Sequence, residues 1–330
     1  MKTVLITGGG GYVGAILVPK LIQKGYKVIV LDLMIYGTDV FDNIDAEKSH
    51  LTVIKGDIRD VPLLQKTIPQ ADYVIHLACI SNDPSFDLNP ELGKSINLDS
   101  FRPLVEISRK SGVEKFIYAS SSSVYGVKNE PDVHEEMSLS PLTDYSKYKA
   151  MCETILSEYD PKDFCWTVIR PATVCGYSPR QRLDVIVNIL TNHAYHNRVI
   201  KVFGGDQKRP NIHIEDMTDL YVRMLEEPSE KISGKIYNSG STNYTVIELA
   251  HKTQKIVGDD VKLEFHKSDD PRSYHISSEK LAKEIGFVPR YSIEDAVADL
   301  TRAFNEGKLP NAMSDHRYYN IKTMLDLNLA

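Results

Sequence analysis

The stretch "KTVLITGGGGYVG" (residues 2–14) decides how the rest of the chain is read. "KTVLIT" is an apolar run of strand length that breaks into four glycines, Gly8 to Gly11. "YVGAILVPKLIQKG" then reads as a helix closed by Gly25. Gly9, Gly11 and Gly14 fit G-x-G-x-x-G; Thr7, Gly8, Gly11 and Gly14 fit T-G-x-x-G-x-x-G. Either register has one physical sense. One glycine makes the tight turn, one lets backbone approach a pyrophosphate, and one lets helix and strand pack closely. The pyrophosphate then meets free N–H groups at the helix N-terminus, so Gly8, Gly11, Tyr12, Val13 and Gly14 are candidate cofactor residues.

The second strand, "KVIVLD" (27–32), ends in Asp32, 18 residues after Gly14. A carboxylate there accepts hydrogen bonds from an adenosine ribose and repels a 2′-phosphate. Leu33 beside it offers no cation, so the cofactor expected is NAD and not NADP. Asp57, with Ile58 after it, ends the third apolar run, "LTVIKGD" (51–57). It is placed either to touch adenine or to cap the following helix.

"DYVIHLA" (72–78), "KFIYAS" (115–120) and "CWTVIRPAT" (165–173) continue the strands, most of them separated by helical stretches. Near-continuous apolar runs mean strands buried on both faces, hence a parallel sheet covered by helices, and the crossover rule then makes it doubly wound. The expected fold is α/β, a doubly wound parallel sheet of the Rossmann type, with a smaller C-terminal α/β substrate lobe. The expected division is 1–175 for the cofactor and 176–330 for the substrate, with interleaved segments allowed. In the second lobe, helical patterns near 182–195, 214–227, 245–256, 278–285 and 292–306 alternate with short strands such as "RVIKVF" and "KIYNSG". The tail "DHRYYNIKTMLDLNLA" docks either on the body or on a partner chain.

The chain has 330 residues, 42% hydrophobic and 25% charged, and a net charge of −6. That balance argues for a folded protein and against a general affinity for nucleic acid or an anionic membrane. No apolar run approaches the roughly 20 residues that span a bilayer, and the N-terminus reads as a strand and not a signal peptide. Cys79, Cys152, Cys165 and Cys175 lack CxxC spacing, which suits reduced thiols in a cytoplasmic protein. His193 and His196 stand three apart without a Cys or carboxylate partner, and no metal site is expected.

"YSKYK" (145–149) puts Tyr145 and Lys149 at i, i+4 on one helical face. A phenol titrates near 10, so bringing it to about 7 takes roughly 4 kcal/mol of preference for phenolate. A nearby ammonium together with the positive nicotinamide ring is a credible source.

With these residues in hand, the chain resembles the extended short-chain dehydrogenases/reductases, specifically the nucleotide-sugar epimerase/dehydratase family. "TGGGGYVG", Asp32, Asp57, "HLA" (76–78), Asn97, "SSSSVYG" (120–126), "YSKYK", "RPATVCG" (170–176) and "FGGDQKRPNIHIEDM" (203–217) fall in the family's order over nearly the full chain. The resemblance implies that Ser121, three residues before Val124, is the active hydroxyl that holds the reacting sugar oxygen. It implies that Tyr145 exchanges the proton, that Lys149 also holds the nicotinamide ribose, and that Ser120 lies near the nicotinamide. Leu77, Ala78 and Pro171 would border the cofactor, and Asn97 fits the family's structural or cofactor-side asparagine. Members often dimerise through a four-helix bundle, here from about 90–111 and 145–158, so a homodimer is expected.

In the family's 4,6-dehydratases an Asp-Glu pair follows the catalytic Thr, because losing water needs an acid and a base. Here those positions are Ser122 and Ser123, which disfavours a dehydratase unless carboxylates arrive from elsewhere. The expected activity is an NAD-dependent epimerase of nucleotide sugars, acting at C4 through a transient 4-keto sugar. The alternatives are a nucleotide-sugar C4 dehydrogenase or ketoreductase and, from another class, an NAD(H)-binding protein without turnover. By resemblance, Arg209 and Arg272 occupy positions for the nucleotide diphosphate. Arg180 and Arg182, in "SPRQRLD", lie near the expected sugar and nucleotide cleft. Bidentate guanidinium contacts suit diphosphates. Ser81, Asn82 and Asp83 either touch the sugar or shape a loop. Cys79, where Ala is more usual, and Cys175, where an aromatic is frequent, depart from the family and leave the sugar's identity open.

Overall fold

The computed structural model describes residues 1–45, 50–268 and 273–329. Its strands are β1 Thr3–Thr7, β2 Lys27–Asp32, β3 Leu51–Lys55, β4 Tyr73–His76, β5 Lys115–Ala119, β6 Trp166–Pro171, β7 Thr173–Cys175, β8 Val199–Phe203, β9 Lys208–His213, β10 Lys235–Ser239, β11 Asn243–Thr245 and β12 Lys262–His266. Seven of them form one parallel sheet in the order β10-β6-β5-β4-β1-β2-β3. The order reverses between β1 and β4, and the crevice beyond their carboxyl ends is where such sheets bind ligands.

The two faces of this sheet carry two cores, and β1 feeds both because strand side chains alternate. Val4 and Ile6 face helices α1 (Gly14–Gln23) and, from the second half of the chain, Ile214–Glu226. Leu5 faces the other side with Val74, Phe116 and Leu104. Each such side chain, at or near zero exposure, contributes about 1.5–3 kcal/mol of burial.

Three departures from the expected elements have local causes. The run expected as one strand over 165–173 divides at Pro171. Ala172 donates its N–H to Ser239, and β7 then leaves for a second sheet, β11-β9-β7. A proline supplies no ladder donor at that point. The helix expected over 90–111 is broken into Pro90–Lys94, a wide π-type turn at Ser95–Asp99, and Phe101–Lys110. Pro103 cannot donate to Asp99, four residues before it, so the helix widens there. Third, β10 returns from beyond residue 175 to the edge of the first sheet, pairing in parallel with β6. The remaining strands β12 and β8 form a two-stranded parallel sheet.

Candidate active site

The glycine loop joins β1 to α1 and is shaped by close approaches. Gly8 has φ +74° and donates its N–H to the Leu31 carbonyl at 2.9 Å. A Cβ on Gly8 would stand 2.5 Å from the Ala78 backbone nitrogen, and one on Gly14 would stand 2.2 Å from the Gly9 carbonyl oxygen. Only glycine fits either place. The Asp32 carboxylate accepts from the N–H of Gly10 at 2.9 Å and of Met34 at 2.7 Å. Burial lifts its pKa above the ordinary value, against the pull of those two donors.

A cavity of about 530 Å³ opens beside the loop. It is lined by Gly8, Gly11, Tyr12, Val13, Gly14, Asp32, Asp57, Ile58, Leu77, Ala78 and Pro171. Ser81, Ser120, Ser121, Tyr145, Lys149, Arg180 and Arg209 line it too, so sequence positions over 200 residues apart meet in one space. The Gly8 cradle, the N-terminus of α1 and an acceptor at Asp32 fit a dinucleotide.

Tyr145 sits in the first turn of helix Asp144–Ser157, which is capped reciprocally by Thr143 and Ser146. Lys149, one turn on, donates to the Ala119 carbonyl at 2.7 Å, and its ammonium lies 5.9 Å from the Tyr145 ring centre. Ser121 opens a short turn after β5. Its Oγ accepts from the Ser123 N–H at 3.1 Å and lies 2.8 Å from the Ser123 hydroxyl. Burial pushes the Tyr145 phenol well above its ordinary value, with the Cys79 and Asp83 side chains adding to that; the Ser121 hydrogen bond and the Arg182 charge work the other way. Burial therefore outweighs the groups that favour a phenolate here. The positive ring of the oxidised cofactor is the contribution still to be supplied.

Behind the site lies a buried polar network that sequence reasoning did not anticipate. The Ser120 hydroxyl donates to Glu153 at 2.5 Å and does not point its proton at the cavity. Glu153 is forked by Arg170, with Nη2 to Oε2 at 2.6 Å and Nε to Oε1 at 3.1 Å; these side chains are 5% and 3% exposed. Arg170 also donates to the Tyr125 hydroxyl at 2.6 Å. His76, hydrogen-bonded to Thr7 at 2.7 Å and stacked on Tyr118, is pushed down to about 3 by burial and by the Lys149 charge.

Two residues with alternative readings are placed by their contacts. Asn97 does not line the cavity; its amide accepts from the Ile80 N–H at 2.8 Å and donates to the Ile80 carbonyl at 2.9 Å. Both polar ends are spent on straightening the strand-to-loop exit, the structural of its two readings. Asp57 does not cap the next helix, since that cap is Asp60, which accepts from Leu63 at 3.1 Å. Asp57 instead holds Arg59, with Nη2 to Oδ2 at 2.6 Å. Burial would raise the Asp57 carboxyl, and the Arg59 hydrogen bonds outweigh it and lower it.

The arginines differ in setting. Arg209 lines the cavity with its guanidinium 5.5 Å from the Tyr274 ring centre. Arg272 lies outside the described residues. Arg180 stacks on Tyr36, 3.5 Å from the ring centre, and Arg182 reaches Ser81 and Asp184 at 3.2 and 2.9 Å. The tail docks on the body, and its Asn320 lines the same cavity. Tyr36 and Asn320 carried no local pattern by which sequence could have found them.

A cradle for a dinucleotide and a second group of polar side chains thus share one cavity. Residues 4–240 match the NAD dependent epimerase/dehydratase family, and the chain belongs to it. Its cofactor is NAD. It is 26% identical over 324 residues to the UDP-glucose 4-epimerase of Bacillus subtilis, covering 91% of this chain and 96% of that one. The UDP-glucuronic acid 4-epimerase of Bacillus cereus, solved with UDP-glucuronic acid and NAD, superposes with a TM-score of 0.81 at 26% identity, over 92% of this chain and 99% of that one. The dTDP-glucose 4,6-dehydratase of Streptomyces venezuelae shares the fold, with a TM-score of 0.83 at 22% identity over 93% and 98% of the two chains.

Proposed function

We propose that the protein is an NAD-dependent epimerase of nucleotide-diphosphate sugars that inverts C4. NAD accepts a hydride from the sugar carbon and returns it to the opposite face. Tyr145 takes the C4 hydroxyl proton and gives it back, a general acid–base role. Ser121 holds the sugar oxygen, and Lys149, fixed by the Ala119 carbonyl, biases the phenol toward phenolate. Arg209 lies where a guanidinium can meet the nucleotide diphosphate.

The observation that carries this reading is that Ser121, Tyr145 and Lys149 line one cavity where Ser122 and Ser123 follow, and not an acid pair. Carboxylates do reach the cavity from elsewhere. Asp184 is tied to Arg182 at 2.9 Å, and Asp83 accepts from the Thr143 hydroxyl at 2.6 Å. Neither directly follows Ser121 in the chain, where the acid pair of a dehydratase is expected, so the reading disfavours dehydration. We also propose a homodimer through helices Phe101–Lys110 and Asp144–Ser157, the second of which leaves Met151 47% exposed.

The test is to incubate purified protein with UDP-, GDP-, dTDP- and CDP-sugars, follow absorbance, and resolve the sugars by NMR. Mixtures of C4 epimers without lasting NADH are expected. Accumulating NADH with a keto sugar, discharged only by a second substrate, would replace the epimerase with a dehydrogenase.

A further inference from the structure

One group of side chains in the cavity is built for an anion. Arg180 is 6% exposed, and its Nη2 donates to the Asn320 Oδ1 at 2.7 Å. Its Nε and Nη1 are buried and have no partner among the described residues, and the same holds for Nη2 of Arg182. Arg182 is held by Asp184 through Nε and by Ser81 through Nη1. Asn320 closes the group: its Nδ2 donates to Ser81 at 3.0 Å and its backbone N–H to Asp184 at 2.9 Å. Burial pulls the Arg180 guanidinium down to about 10, so it stays charged at neutral pH.

Arg180, buried, and Arg182, 11% exposed, have one ion pair between them, Arg182 with Asp184, and keep three buried N–H-bearing nitrogens unused among the described residues. Buried donors without acceptors are costly, and buried charge is costlier. A diphosphate would satisfy both deficits with forked contacts. Which diphosphate is decided by the neighbours. The Arg180 guanidinium stacks on Tyr36, four residues past Asp32, and the segment that carries both arginines is tied to the glycine loop, with the Tyr12 hydroxyl donating to the Gly176 carbonyl at 2.6 Å and the Ser178 hydroxyl to the Tyr12 carbonyl at 2.8 Å. Those are cofactor positions, whereas Arg209 stands at the expected substrate diphosphate.

We infer that Arg180 and Arg182 form a side-chain clamp on the pyrophosphate of the dinucleotide, supplementing the backbone cradle, and that the C-terminal segment sets cofactor retention by holding Arg180 and Ser81 through Asn320. The inference rests on the dinucleotide and not on which sugar is turned over, so failure of the epimerase assay leaves it standing.

The experiment compares wild-type protein with Asn320→Ala and Arg182→Lys. NAD released by acid is quantified after timed dialysis, and UDP binding is measured by calorimetry. Thermal melts with excess NAD check that each variant folds, and Arg182→Lys keeps the charge if Asn320→Ala does not fold. Both variants are expected to lose NAD at least about tenfold faster than wild type, with UDP affinity unchanged. NAD lost at the wild-type rate from folded variants would overturn the clamp. Unchanged NAD loss with weakened UDP binding would also overturn it, and would assign the arginines to the substrate diphosphate.

Discussion

Two linings of one cavity are made in opposite ways. The glycine loop is contiguous, residues 7–14, and presents backbone. The arginine group is assembled from Ser81, Arg180, Arg182 and Asn320, and presents side chains. Backbone cradles need only the absence of Cβ atoms, so they survive as short motifs. Side-chain clamps need a fold to bring distant positions together, so no local pattern announces them. The first lining is rigid by sterics, and the second is only as firm as the hydrogen bonds that position it.

That contrast can be broken most severely at Gly8. Gly8→Ala puts a Cβ against the Ala78 backbone in a positive-φ residue, and the purified variant is expected to carry no NAD by absorbance ratio. Gly11→Ala, whose Cβ would meet the Gly8 carbonyl at 3.2 Å on the cavity wall where the pyrophosphate is expected, lacks the positive-φ strain and is expected to lose less of it. NAD retained in full by both would mean that the loop is not shaped by close approach. Next comes Tyr145→Phe, expected to lower kcat by about 10²–10⁴ with NAD still bound. Near-normal turnover there would sink the proposed chemistry.

The pH profile of kcat sharpens the same point. Tyr145 is held protonated by burial, so the phenolate fraction, and turnover limited by it, is expected to rise about tenfold per pH unit below its pKa. A flat profile would mean that another group takes the proton. Behind the side-chain lining, Glu153→Ala leaves Arg170 buried and uncompensated, and urea unfolding is expected to show a loss of about 3–5 kcal/mol. The smallest effect belongs to Arg59→Ala. Its pair with Asp57 is partly exposed, 40% and 26%, and stability is expected to change by less than about 1 kcal/mol.

Legibility in the sequence followed the range of the contacts. β2 runs over the same residues as its apolar run, and the loop with its acidic partner at Asp32 was readable as a spacing. Tyr145 and Lys149 are one helical turn apart and needed only a helix. What escaped depends on partners far along the chain. Nothing near Ser120 says that its hydroxyl serves Glu153, 33 residues on. Nothing near Asn320 says that it meets Arg180, 140 residues back. The wide turn before Pro103 is the exception, because a proline inside a helical run is itself a local signal.

The placement of β10 has a consequence for how the protein is made. Its partner β6 ends at Pro171, yet the strand that covers that edge begins at Lys235. A nascent chain leaving the ribosome must therefore carry an uncovered, apolar sheet edge while more than sixty further residues are synthesised. Domains that complete only late expose such edges to mispairing. A stop codon anywhere between these two strands would yield not a smaller cofactor-binding protein but a substrate for chaperones and proteases.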